Sequence, residues 1–169
     1  TVFADNTNRA SGLAFGPDGK LYAAAGATQQ IVAYDESGKV EVIAEQIPSN
    51  DLTVSNAGHI YITDFTNRKV WLIPKGGTPR VVDEGLERPN GIQLSPDQTT
   101  LYVAETQGHL AWAFQVQADG SLTHKQPYIY VHVAPGRTQV GADGFAADTD
   151  GRIYLATNIG VQVFDQIGK

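Results

Sequence analysis

Asn50, Asn90 and Asp143 are side chains that could hold a hard metal ion, and all three stand at one phase of a repeat. Asn50 opens Asn50-Asp51-Leu52-Thr53-Val54, Asn90 opens Asn90-Gly91-Ile92-Gln93-Leu94, and Asp143 opens Asp143-Gly144-Phe145-Ala146-Ala147. Calcium takes six to eight oxygen ligands from Asp, Glu and Asn side chains, with waters completing the shell. The three residues would supply one carboxylate and two neutral amide oxygens, leaving positions open for water and substrate. One divalent cation is expected, calcium first, with zinc, magnesium or manganese as alternatives. The plainer alternative for any one of them is an Asx residue that caps a turn by bonding its own backbone. Three at one phase favour the shared site. Ser11 leads the fourth such run, Ser11-Gly12-Leu13-Ala14-Phe15. It is a poor ligand and reads as a turn residue or as a donor to a ligand.

The elements that must position these residues follow from the repeat itself. Each run is followed by a turn and then an apolar-Tyr pair: Leu21-Tyr22, Ile60-Tyr61, Leu101-Tyr102 and Ile153-Tyr154. The leading positions are spaced by 39, 40 and 53 residues. Periods near 40 built from short strands belong to β-propellers, in which each repeat is one four-stranded blade. The expected fold is all-β, a β-propeller with about four blades visible, forming one domain over residues 1–169. Its leading motifs lie at 11–12, 50–51, 90–91 and 143–144. A leading residue belongs on the innermost strand of its blade, so residues scattered in sequence should converge near the axis.

The second repeat divides most clearly, into strands Asp51–Ser55, Ile60–Thr63, Val70–Ile73 and Arg80–Val82. Turns such as Gly16-Pro17-Asp18-Gly19, Asn56-Ala57-Gly58 and Ala118-Asp119-Gly120 supply the positive φ and Asx bonding of tight hairpins. The apolar period is two, so no helix is expected. Calling the strands a to d, the d–a and b–c loops must emerge together on one face, and the tight a–b and c–d turns on the other. The functional face would then carry loops 48–51, 88–91 and 137–143, with 25–29, 64–67, 105–108 and 158–160 beside them. Residues 128–140 read as an extended outer strand followed by a longer loop over this face.

Other candidates on that face carry less chemistry. Asp64 and Glu105 end their b strands, and Arg137 lies in the longest loop, so these three are the expected contacts to substrate hydroxyls. Each reads equally as a solvated loop side chain. Asp51 should point into the blade or back to its loop. His59, His109, His124 and His132 share no metal-ligand spacing, and no phosphate loop, nucleophile elbow or thiol–histidine pair is present.

Composition narrows the classes. A net charge of −6 disfavours nucleic acid or an anionic membrane as partner and suits a cation. The chain has no cysteine, which excludes disulfides and thiolate metal sites. No apolar stretch reaches the length of a membrane span. The absence of Met, even at position 1, suggests a processed or truncated chain. The compartment is left open, with a bacterial periplasmic or secreted setting favoured over a cytoplasmic one. Val2-Phe3-Ala4 falls in the d-strand phase, and the last repeat stops at Val161–Asp165, its c strand. Thr1–Asp5 could therefore close a four-bladed ring beside Val161–Asp165. The favoured alternative is an open arc whose end blades are covered by another polypeptide, the rest of a parent protein or a second copy.

The segments Asn50-Asp51-Leu52-Thr53-Val54, Arg88-Pro89-Asn90-Gly91-Ile92 and Gly141-Ala142-Asp143-Gly144, with Asp150-Gly151, resemble the senescence marker protein, gluconolactonase and luciferin-regenerating-enzyme family. The resemblance covers essentially the whole chain. It implies a six-bladed propeller with one divalent cation, commonly calcium, on its axis, held by a Glu of the first blade, two Asn and one Asp. Asn50 and Asn90 would be the amide ligands, and Asp143 the carboxylate ligand and acid/base. The Glu-bearing blade and the last blade have no counterpart in these residues, which would leave one carboxylate where the family has two.

The function expected from that resemblance is a metal-dependent hydrolase that opens a small sugar-type lactone. The alternatives are a non-catalytic scaffold or ligand-binding propeller, or an inactive fragment without the Glu-bearing blade.

Overall fold

The computed structural model describes residues 2–169 as fifteen β-strands in four antiparallel sheets, with no helix among the described residues. The first blade comprises β1 (Ala10–Phe15), β2 (Leu21–Ala25), β3 (Gln30–Tyr34) and β4 (Val40–Ala44). The second comprises β5 (Leu52–Val54), β6 (Ile60–Asp64), β7 (Lys69–Ile73) and β8 (Arg80–Glu84). The third comprises β9 (Pro89–Leu94), β10 (Thr100–Glu105), β11 (Leu110–Val116) and β12 (Leu122–Tyr130). The fourth has three strands, β13 (Phe145–Ala147), β14 (Ile153–Thr157) and β15 (Gly160–Phe164). Each sheet runs in chain order, so each blade is a meander, as the two-residue period and tight turns require. Among the described residues no helix is long and apolar enough to cross a membrane.

The blades are arranged as a propeller. Inner strand β1 lies beside β5, β5 beside β9, and β9 beside β13. Between successive blades, alternate residues of facing sheets form separate apolar cores. Ile31, Ile47 and Leu52 fill the first gap, Tyr61, Leu72 and Phe114 the second, and Ala111, Ile129 and Leu155 the third. Burying each large apolar side chain contributes about 1.5–3 kcal/mol, so these gaps hold the blades in register. Tyr61 adds a polar tie, its hydroxyl donating to the Gly120 carbonyl of the third blade at 2.9 Å.

The two loop classes do share a face, and backbone hydrogen bonds join them. Ile47 N–H donates to Gln29 O at 2.9 Å, Gly85 N–H to Arg68 O at 2.9 Å, and Val131 N–H to His109 O at 2.9 Å. Residues 131–144 form the long loop after the nine-residue β12.

Two end faces carry apolar side chains without cover. Leu13 and Phe15 on β1, with Val40 and Val42 on β4, are exposed on the outer side of the first blade. Val161 and Val163 on β15 are exposed on the fourth. Residues 2–5 form no strand, which corrects the d-strand expectation for Val2–Asp5; Thr1 lies outside the described residues. Phe3 sets its ring edge-on to Tyr34 at 6.2 Å, and Ala4 joins the small cluster around Ala23 and Val32. The segment therefore leans on the first blade, where it shields apolar surface, and not beside β15.

Candidate functional site

Asn50, Asn90 and Asp143 each stand at or just before the start of an inner strand, β5, β9 and β13 respectively. The backbone explains why these three segments approach so closely. Gly12 N–H donates to Asn50 O at 3.1 Å across the first gap, and Ser11 Oγ donates to the same carbonyl at 2.5 Å. Ser11 is thus a donor to a candidate ligand's main chain. A Cβ on Gly12 would strike Asp51, and a Cβ on Gly91 would overlap the Asp143 carbonyl. Glycine after the leading residue lets the next blade come to main-chain contact.

Asn90 and the Asp143 segment are joined through one side chain that sequence reasoning missed. Asn90 Nδ2 donates to Thr106 Oγ1 at 3.1 Å, and Thr106 Oγ1 donates to Ala142 O at 2.8 Å. Thr106 N–H donates to Arg88 O at 3.0 Å, and its carbonyl accepts Gly141 N–H at 3.1 Å. Arg88 itself is held at φ 59, with its guanidinium 3.8 Å from the centre of the Phe65 ring. Nothing in the local sequence marks Thr106, because its partners are 16 and 36 residues away.

Asp51 does not turn back to its own loop alone. One carboxylate oxygen accepts Leu52 N–H at 2.8 Å and the other accepts Ile92 N–H of the third blade at 3.3 Å. Burial pushes its carboxyl up to about 6, the two backbone donors pull it down, and the negative charge of Asp143 adds to the rise. Asp143 therefore adds its repulsion to the effect of burial on Asp51. Among the described residues neither is in an ion pair, and no three of His, Cys, Asp and Glu cluster as a metal site by themselves. Any ion held here would depend on the two asparagine oxygens.

The structure places the remaining candidates differently. Asp64 is 0% exposed and accepts hydrogen bonds from Asn67 N at 2.8 Å, Asn67 Nδ2 at 2.8 Å and Trp71 Nε1 at 3.3 Å. Glu105 is 4% exposed and accepts Glu87 N–H at 2.8 Å. Both carboxylates are buried and close loops from beneath, so each is engaged by loop backbone where a substrate contact was expected. A carboxylate at a strand end finds backbone donors in the adjoining loop before it finds a solute. Arg137 is exposed on the long loop, whose turn is closed by its N–H donating to Ala134 O at 3.0 Å.

The opposite mouth of the axis offers less. A groove of about 190 Å³ there is lined by Thr53, Gln93, Ser95, Thr149 and Asp148 among others. Its one carboxylate is already engaged by Arg152 Nε at 2.7 Å and the Tyr154 hydroxyl at 3.0 Å.

Comparison with known proteins agrees with this architecture. The SMP-30/Gluconolactonase/LRE-like region profile matches residues 1–169. A gluconolactonase of Zymomonas mobilis is 26% identical over 186 residues, covering 94% of this chain and 52% of that protein. The structure of a gluconolactonase from Xanthomonas campestris superposes with a TM-score of 0.84 at 26% identity, covering 100% of this chain and 63% of the other. Regucalcin of Agrobacterium tumefaciens, described as a calcium-binding protein, superposes with a TM-score of 0.61 at 18% identity, covering 95% of this chain and 72% of the other. The chain spans about half the length of the curated relatives it matches.

Proposed function

Since the chain belongs to the SMP-30/gluconolactonase/LRE-like family, we propose that it carries the site of a metal-dependent hydrolase opening a sugar-type lactone. The observation that supports this most is the charge balance at the axis. The Asp51 carboxyl is raised chiefly by burial and further by repulsion from Asp143, neither carboxylate is paired with Lys or Arg among the described residues, and two asparagines stand on the adjoining strands. A divalent cation would relieve that repulsion, and the donor set of two amides and a carboxylate suits a hard ion. Asn50, Asn90 and Asp143 would hold it. Calcium is the first choice, in keeping with the regucalcin likeness.

When bound, the ion would supply Lewis acidity toward a lactone carbonyl. The two amides are neutral ligands and leave its charge undiminished. Asp143 is exposed on the loop face, so its carboxylate can take a proton from an attacking water and return one to the ring-opened alkoxide. Arg137, on the long loop, is the proposed contact for substrate hydroxyls. Gluconolactone and related sugar lactones are the proposed substrates, following the relatives' names.

Thermal denaturation with added calcium, magnesium, manganese or zinc tests the site, alongside acid release from gluconolactone. The expected result is a cation-dependent rise in Tm and hydrolysis that Asp143→Ala removes. A chain that neither responds to any of the four ions nor releases acid would be a scaffold, and the proposal would fall.

A further inference from the structure

We propose that Thr106 is a positioning residue that fixes the rotation of the Asn90 amide, so that the carbonyl oxygen and not the NH₂ is offered to a cation. The inference rests on the metal-site reading above and adds a residue to it.

A threonine hydroxyl has a single hydrogen to donate and lone pairs to accept. In this structure that hydrogen is committed to Ala142 O at 2.8 Å, a backbone acceptor without a hydrogen of its own. Toward Asn90 the Thr106 oxygen can therefore only accept. The Asn90 side chain, 3.1 Å away, must turn its NH₂ to it. A flipped amide would set oxygen against oxygen. With Nδ2 so engaged, Oδ1 is left without a protein hydrogen bond among the described residues and with both lone pairs available.

Thr106 can impose this orientation because it is itself held. Its N–H is bonded to Arg88 O and its carbonyl to Gly141 N, so both main-chain groups are tied on either side of the gap between the third and fourth blades. The residue links the segment leading into Asn90 with the one leading into Asp143. Groups that orient metal ligands typically change metal affinity by about 10–100-fold when removed.

Calorimetric titration of calcium, magnesium, manganese and zinc into wild type, Thr106→Val and Thr106→Ser provides the test, with ¹H–¹⁵N spectra of the Asn90 side-chain NH₂. Valine keeps the shape and loses the hydroxyl, whereas serine keeps the hydroxyl. The expected result is roughly tenfold weaker binding in Thr106→Val, near wild-type binding in Thr106→Ser, and an Asn90 NH₂ pair that loses exchange protection only in the valine variant. A general loosening of the blades would not be rescued by serine in this way. Equal affinity in wild type and Thr106→Val would overturn the inference and leave the metal site standing. Wild type that binds none of the four ions would overturn the metal site, and with it this role. If Thr106→Val does not fold, an unprotected Asn90 NH₂ pair in cation-loaded wild type, or weakened binding in Thr106→Ser, overturns the inference.

Discussion

Gly91 and the carbonyl of Asp143 share one narrow gap between the third and fourth blades, and no Cβ fits there. The contact is main chain against main chain, so it cannot be relieved by a rotamer change. Gly91→Ala should push β9 and β13 apart, costing about 1–3 kcal/mol by overpacking. Gly144 holds the corresponding place in the fourth blade, where a methyl group would meet nothing within 4 Å. Gly144→Ala should fall within about 0.5 kcal/mol of wild type. Urea unfolding of the two variants checks the contrast, and equal stabilities would show that the inter-blade approach is looser than described.

The roles of Asp143 and Asn90 separate by substitution. Asp143→Asn keeps an oxygen ligand and removes the base, so lactone hydrolysis should drop by about 10²–10⁴-fold with little change in Tm. Asn90→Ala should instead weaken cation binding, with hydrolysis partly recovered at high cation concentration. Initial rates measured across a calcium series decide this, and near-normal turnover in Asp143→Asn would remove the acid/base assignment.

Asp64 should behave as a loop clamp. Asp64→Asn sets an amide NH₂ among donors from Asn67 and Trp71 and should destabilise the fold by about 1–3 kcal/mol. KM for any lactone should stay within twofold. A large rise in KM at unchanged stability would restore Asp64 as a substrate contact.

Tyr61 predicts an alkaline signature. Burial pushes its phenol up to about 12, with the charge of Asp119 adding to the rise and that of Arg80 opposing it. The neutral phenol is the form the fold accommodates, so its contribution is intact below about pH 10, the ordinary tyrosine value, and is lost as pH rises through about 12. Burial raises Tyr102 further still, so tyrosinate absorbance should show late-titrating phenols, with one fewer of them in Tyr61→Phe. That variant should also lose about 1–2 kcal/mol, because the Gly120 carbonyl loses its donor.

The uncovered end faces bear on assembly. Phe15 is 73% exposed and Val161 65% exposed, each among further apolar neighbours of its sheet. Such faces favour association. The isolated 18.1 kDa chain should bind an apolar dye and self-associate in light scattering. A dye-silent monomer would show that these faces are covered within the chain.

The sequence by itself determined the blades. A two-residue apolar period and turn residues at fixed offsets are local properties, and they located the four sheets, the turn face and the loop face. Repeat phase also put Asn50, Asn90 and Asp143 at or just before the starts of neighbouring inner strands. Only the tertiary structure decided what the neighbouring side chains do. Asp64 and Glu105 sit at strand ends in sequence, and whether such a carboxylate faces solvent or its own loop depends on where backbone donors come to rest. Thr106 and Asp51 act on partners in other blades, 36 and 41 residues away, through bonds that exist only once the blades have packed. The same holds for Val2–Asp5: their strand-like pattern gave way to the apolar face of the first blade, because covering part of Ala4 and of Phe3 there is a tertiary choice that local sequence does not encode.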